Sequence, residues 1–315
     1  MKHVFVVDPK VFHDQQWRMD GLVDSIGQYF RTQEKPNFST LFSHYPRDAI
    51  GIIQKQVSEA EEDETIRVYA IGGDNILFDC LNGIAELPNM ELAIAPYGDT
   101  NSFIRVFGEG KTELFKDINS LAEAEVVSTD MIEVGNNCAI NGCSIGCTPA
   151  KAMRKREIRE RMGSGISRAF MGFWFFVNNL SFTFNKEVIA HPYQITIDDT
   201  DYSGNYSLIY IINAPYFNRN KVALAGSMPN DGLLDVVLFK SVGPFKTSRS
   251  IKKYARGKMP SNCVRMQAKK IQIKSDTPMW IQTDSEFLRD TSMTFAVVPG
   301  AVQVVAVNNL TYQGF

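Results

Sequence analysis

Val68-Tyr69-Ala70-Ile71-Gly72-Gly73-Asp74-Asn75-Ile76-Leu77 decides the fold of this 315-residue chain. An apolar, strand-like run empties into two glycines and an aspartate, and residues 77–84 then carry a helical pattern. A strand, a glycine turn and a helix start together form an anion site. Backbone N–H groups and the helix dipole point at one place, and glycine lets a phosphate approach. The same chemistry recurs at once. Apolar residues 92–96 lead into Tyr97-Gly98-Asp99-Thr100-Asn101, and residues 102–107 read as another helix. Two such turns so close in sequence suggest a nucleotide-phosphate cleft; the alternative is a pair of ordinary βα turns.

Working outward, strands are expected at residues 4–7, 37–42, 66–71 and 92–95, and helices at 17–30, 46–60, 77–86 and 102–107. This alternation predicts an α/β domain over residues 1–126, a parallel sheet with helices on both faces. Ligands of such sheets bind outside the carboxyl ends of the strands, where both glycine turns lie. Beyond residue 126 the texture changes. Residues 193–198, 208–212, 235–239, 270–273, 293–298 and 302–307 are short β-rich runs separated by turn residues. They predict an antiparallel β-sandwich domain over residues 127–315, with the last ~15 residues returning to the first domain. Within it, residues 150–180 hold a basic run (Lys151, Arg154, Lys155, Arg156, Arg159, Arg161, Arg168) followed by aromatic residues 170–177. That pattern suits a membrane surface, or equally a helical pair covering the sheet with its aromatics inside.

Length agrees with two domains, since single cores rarely exceed ~250 residues. A net charge of −2 gives no electrostatic case for nucleic-acid binding. No apolar run reaches the ~18 residues of a membrane span, and the N-terminal apolar run at residues 4–7 is too short for a signal peptide. The five cysteines (Cys80, Cys138, Cys143, Cys147 and Cys263) form no CxxC pair and read as reduced, buried thiols, so a cytoplasmic location is expected.

Several of these segments together resemble the diacylglycerol kinase family, the soluble bacterial lipid kinases related to sphingosine kinases. Gly72-Gly73-Asp74 with Asn82-Gly83 is similar to that family's G-G-D-G-T-x-x-E-x-x-N-G. Residues 95–98 with Asn101, Phe103 and Arg105 are similar to its P-x-G-T-x-N-D-F-A-R. Residues 213–216 resemble its N-G-P-Y/F, residues 230–236 its D-D-G-L-L-D-V, residues 284–286 its D-G-E and residues 298–301 its closing P-G-A. The resemblance implies an NAD kinase/diacylglycerol kinase-like fold and ATP- and Mg2+-dependent phosphorylation of a hydroxyl of diacylglycerol or a related lipid, in phospholipid biosynthesis. NAD kinase itself shares the first turn, but the Arg105 context and residues 230–236 speak against it. On this resemblance Asp284 is the general base and Asp74 organises magnesium. Gly72, Gly73, Asp74, Asn75, Gly98, Asp99, Thr100, Asn101 and Glu286 form the nucleotide site, with Asp74, Asp99 and Asp231 as metal ligands. The implied partners are a lipid substrate at the inner face of the membrane, met by peripheral contact, and a second copy if a sheet edge is exposed.

The departures from the family patterns fall on the chemistry. Asn75 and Ile76 replace a glycine and a phosphate-facing threonine, and Ser285 replaces the glycine of D-G-E. Asp99 stands where threonine is usual and Ser102 where an aspartate is expected, as though the two had exchanged roles. Gly226 and Asn230 occupy two of the three aspartates of the family's metal loop. An uncompensated Asp99–phosphate contact at ~4 Å and an effective dielectric near 20 would cost about 4 kcal/mol. The alternative is therefore a catalytically impaired pseudokinase that binds lipid or nucleotide in a regulatory role.

Overall fold

The computed structural model describes residues 1–315 apart from 14, 62, 163–189, 218–220, 223 and 314–315. Its first part is built on β1 (Lys2–Val7), β2 (Phe38–Phe42), β3 (Ile66–Gly72) and β4 (Met90–Pro96), in the order β2-β1-β3-β4 and all parallel. β3 is buried at every position, as expected of a central strand covered on both faces. Helices α1 (Gln16–Arg31), α2 (Asp48–Ser58), α3 (Asp74–Ile84) and the short α4 (Ile118–Glu123) pack around it. In α1, Met19, Leu22, Ile26 and Phe30 recur at three- and four-residue steps and are the positions it buries. The helix expected at residues 102–107 is instead a 3-10 turn, Phe103–Phe107, ended by Gly108 at φ 115°.

The second part comprises β5 (Glu125–Val134), β6 (Asn137–Ala139), β7 (Gly142–Gly146), α5 (Cys147–Met162), β8 (His191–Ile197), β9 (Thr200–Asp201) and β10 (Gly204–Ile212). It continues through β11 (Tyr216–Phe217), β12 (Lys221–Val222), β13 (Leu234–Lys240), α6 (Pro244–Tyr254), β14 (Cys263–Ala268), β15 (Lys270–Thr283) and β16 (Glu286–Ala306). All pairings among these strands are antiparallel. In β10, Leu208 and Ile212 face one hydrophobic cluster while Ile209 and Ile211 face another. This alternation buries both faces of the strand, one toward the β layers and one under α5 and α6. Residues 170–177, the aromatic segment expected to cover the sheet or meet a membrane, lie outside the described residues.

The two parts do not carry separate sheets. β16 runs for 21 residues, pairs antiparallel with β15 and β5, and at Gln303 and Val304 pairs parallel with β4. Among the described residues one 14-stranded sheet therefore runs through both parts. Val302, Val304–Ala306, Val307 and Tyr312 belong to the core of the first part.

Several family-like segments act as fasteners. Gly83 lies where α3 crosses α2: a Cβ there would sit 2.9 Å from Ile53 Cδ1 and 3.3 Å from Ile50 Cα. Asn82 Nδ2 donates to the carbonyls of Phe78 and Cys138, and its Oδ1 accepts from Cys138 N at 2.8 Å, tying α3 to β6. Asn82→Ala removes this side-chain amide and leaves Cys138 N without its acceptor, so we expect a loss of about 1–3 kcal/mol in urea unfolding. Asp130 likewise accepts from Gly232 N at 2.7 Å and Gly300 N at 2.8 Å. Both glycines have positive φ (73° and 61°), so the D-G-L-L-D-V-like and P-G-A-like segments are turns held on one carboxylate.

Candidate active site

The two glycine turns meet backbone to backbone. Gly98 N donates to Gly72 O at 2.8 Å and Asp74 N to Thr100 O at 2.9 Å. The approach is so close that a Cβ on Gly98 would lie 2.6 Å from Gly73 Cα, and one on Gly73 would lie 2.9 Å from Thr100 O. Asp74 then locks the second turn: Ser102 N donates to Oδ1 at 2.7 Å and Ser102 Oγ to Oδ2 at 2.8 Å. Asn101 closes the loop on itself, its Nδ2 donating to Gly98 O. Gly73 precedes α3, whose next amides, those of Asn75 and Ile76, have no intrahelical carbonyl to bond.

Asp284 arrives from the other side. Asp284 and Ser285 form the two-residue turn between β15 and β16, closed by the Thr283–Glu286 pair, and Asp284 has φ 45°. Aspartate tolerates that conformation, and such tight hairpins require it. The carboxylate is gripped by three amides: Oδ1 accepts from Asn141 N and Gly142 N, and Oδ2 from Ile140 N at 2.8 Å. With one donor only, Oδ2 keeps a lone pair for a further partner. Burial pushes the carboxyl up to about 6, and the nearby Asp74 charge adds to this, against the lowering effect of the three amides. Asp74 is also raised, chiefly by burial, against its bonds from Ser102.

These groups share one open cleft of about 710 Å3. Asp74, Asn75, Asp99, Thr100 and Ser102 form one wall, Asn141, Gln282, Asp284 and Ser285 another. Lys155 and Arg156 reach it from α5, and Phe217 and Phe287 supply apolar surface. The charge pattern is thus acidic on the turns and basic on α5, with aromatic rings beside both.

Two of the expected chemical defects have no structural counterpart. Asn75 lies within α3 and Ser285 has no positive φ, so neither site needs glycine's freedom. Ile76 is 3 % exposed and faces the core, where its Cγ2 would be 2.7 Å from a Cβ on Gly72. It therefore substitutes for a hydroxyl without filling the cleft. Asp99 is exposed at the cleft wall, whereas Ser102 serves as a donor to Asp74. Gly72, Gly73 and Gly98 shape the turns, and Asn101 braces the second of them.

Glu286 and Asp231 lie elsewhere. Glu286 is half-buried near Asp79, whose carboxyl is pushed up to about 6, chiefly by burial and also by Glu286 and Asp48. Asp231 accepts from Leu233 N at 3.0 Å and Gln267 Nε2 at 3.3 Å, and neighbouring Asp235 is paired with Arg265 at 3.0 Å. Among the described residues no three His, Cys, Asp or Glu side chains gather to hold a metal. The carboxylates of Asp231 and Asp235 already accept from Leu233 N and Gln267 and from Ser227 and Arg265, so an ion there would have to share them with protein donors. The cleft fits a nucleotide-borne Mg2+ better, since that ion takes one or two carboxylates and completes its shell with phosphate oxygens and water.

The residues not foreseen at the site are Lys155, Arg156, Asn141 and Gln282. A signal for the first two was present: Ala152, Lys155 and Arg156 follow the three- and four-residue spacing that puts side chains on one helix face.

Comparison with known proteins accords with this geometry. Residues 18–134 match the family described as Diacylglycerol kinase catalytic domain, and residues 184–306 match the YegS C-terminal NAD kinase beta sandwich-like domain. The first part therefore carries a diacylglycerol kinase catalytic domain and the second a YegS-like sandwich domain. A Staphylococcus aureus protein (strain bovine RF122 / ET3-1) named "putative lipid kinase" is 25 % identical over 252 residues, covering 77 % of this chain and 78 % of its own. A second, from S. aureus strain JH9 and likewise named "putative lipid kinase", is 24 % identical over 249 residues, with the same coverage of both chains. Among solved structures, "a putative diacylglycerol kinase from Bacillus anthracis str. Sterne" superposes with a TM-score of 0.72 over 98 % of both chains, at 20 % identity. That likeness is one of fold.

Proposed function

We propose that this protein is a lipid kinase that transfers the γ-phosphoryl group of Mg-ATP to a hydroxyl of diacylglycerol or a related lipid. The observation that carries the reading is the meeting of Asp284, both glycine turns and the Lys155–Arg156 pair in one cleft. Phosphoryl transfer asks little of a protein beyond positioning, charge neutralisation and a base for the attacking oxygen. Each requirement has a candidate. The first amides of α3 and the cations of α5 suit the nucleotide's phosphates. Asp99, with Asp74 behind it, would hold Mg2+, which when bound neutralises charge on the β- and γ-phosphates. Asp284 Oδ2 accepts the proton of the lipid hydroxyl, its pKa near 6 leaving it ionised at neutral pH and still basic. Phe217 and Phe287 offer the acceptor an apolar wall. The protein is expected to work from the cytoplasmic side of the membrane; no described helix is long and apolar enough to cross one.

The first test is nucleotide binding. Mg-ATP at ~100 times its Kd should stabilise the protein by about 2.7 kcal/mol, read as a rise in Tm. Lys155→Ala with Arg156→Ala should weaken that affinity by about tenfold or more, equivalent to at least about 1.4 kcal/mol. Absence of any shift in the unaltered protein at millimolar Mg-ATP would count against the proposal.

A further inference from the structure

The second part of the chain bears a one-signed surface that the cleft chemistry does not use. From Lys240 to Ser275 the sequence places Lys or Arg at eleven positions and Asp or Glu at none. Six of these cations, Lys246, Arg249, Lys252, Lys253, Arg256 and Lys258, are exposed on α6 or the turn after it. None of the six pairs with a carboxylate among the described residues. Large apolar side chains stand among them: Phe245 is 73 % exposed and Met259 42 %. The cations and Phe245 line a shallow basin of about 1000 Å3.

The opposite face of α6 is fixed. Thr247 and Tyr254 are buried, and Tyr254 stacks on Tyr210 with ring centroids 5.8 Å apart. Tyr210 meets Phe217 edge-on at 6.4 Å, and Phe217 lines the active-site cleft. A short chain of rings therefore joins the base of the cationic helix to the cleft wall, so the exposed face has a defined position relative to the site.

We infer that the cationic face of α6 docks the protein on an anionic lipid surface, with Lys and Arg on the headgroup phosphates and Phe245 among the acyl chains. Clustered cations on an interfacial helix are attracted to anionic leaflets, and an aromatic residue beside them adds apolar insertion that charge alone does not supply. A nucleic acid would meet the cations but give Phe245 and Met259 no hydrocarbon to enter. The chain's net charge of −2 supplies no attraction of its own, so binding must rest on a local cluster of cations such as this face. The inference builds on the lipid-kinase reading, because an acceptor held in a bilayer is reached only by a cleft kept at the interface.

The test separates docking from chemistry. Full-length protein is sedimented with vesicles of phosphatidylglycerol and phosphatidylcholine, and with phosphatidylcholine alone. Turnover is measured separately on a short-chain diacylglycerol dispersed as monomers. The unaltered protein should sediment with the anionic vesicles only. Lys252→Glu with Lys253→Glu should lower that binding by about tenfold or more, and Phe245→Ser should make the remainder release at lower salt. Both variants should keep their Tm and their rate on the monomeric lipid. A protein that binds the vesicles yet phosphorylates nothing supports the docking surface and refutes the kinase. Undiminished sedimentation of the charge-reversed variant, or displacement from vesicles by single-stranded RNA, would overturn the docking surface.

Discussion

Asp284→Asn is expected to lower kcat by about 10²–10⁴-fold, the usual contribution of a positioned general base, while Mg-ATP binding persists. The asparagine keeps the side chain's shape and one acceptor oxygen. Its amide nitrogen, however, must face one of the three N–H donors of residues 140–142, and it takes no proton from an attacking hydroxyl. The pH profile supplies a second reading of the same group. With the carboxyl pushed up to about 6, kcat/KM should fall tenfold per pH unit below about 6, and that acid limb should vanish in the variant's residual rate. The sign for stability runs the other way. The fold tolerates the protonated acid better, so its contribution to stability is complete below the ordinary value of 3.8 and is lost as pH rises through about 6. Activity and this stability contribution should therefore move in opposite directions across pH 4–6, measured by initial rates and by urea midpoints. A full rate in Asp284→Asn would remove the carboxylate from the mechanism.

Gly98→Ala is expected to be the most damaging small substitution in the nucleotide site. Its new methyl group would lie 2.6 Å from Gly73 Cα and 2.7 Å from Gly73 N, against backbone that has no rotamer to relieve the clash. The turns would have to part, breaking the 2.8 Å bond from Gly98 N to Gly72 O and straining the bond from Asp74 N to Thr100 O. Overpacking of this kind typically costs about 1–3 kcal/mol of stability. If the turns carry the phosphates as proposed, the Mg-ATP Tm shift should disappear even where the variant remains folded. Gly110→Ala is the control: it has a positive φ of 77° but nothing within 4 Å, so it should cost stability alone. An unchanged Mg-ATP shift in Gly98→Ala would mean that nucleotide binds elsewhere.

What the sequence disclosed follows the range of the forces involved. β1, β3 and β4 are apolar runs punctuated by turn residues, and both glycine turns lie at the strand ends where they are expected. The convergence of the two turns was also legible, since one parallel pairing, β3 with β4, brings them together. Local reasoning failed where a distant partner sets the geometry. The amides that grip Asp284 are more than 140 residues away in sequence. The direction of Ile76 depends on which face of α3 meets Gly72, and the basic run of α5 could not be divided into solvent-facing and cleft-facing residues without the sheet beneath it. β16 reads as two short runs because it serves two layers, and only its full 21 residues connect them. The altered family positions looked like chemical losses because a pattern gives no backbone angles; at Asn75 and Ser285 the angles require no glycine.

The most direct measurement is transfer of radiolabelled γ-phosphate from Mg-ATP to lipid by the unaltered protein, over a panel of diacylglycerol and related hydroxyl-bearing lipids in mixed micelles. The cleft described here predicts a phosphorylated lipid with at least one acceptor, formed in proportion to enzyme and lost in Asp284→Asn. Saturable Mg-ATP binding with no labelled product from any acceptor would contradict it, and would identify the protein as a nucleotide-binding relative without the chemistry.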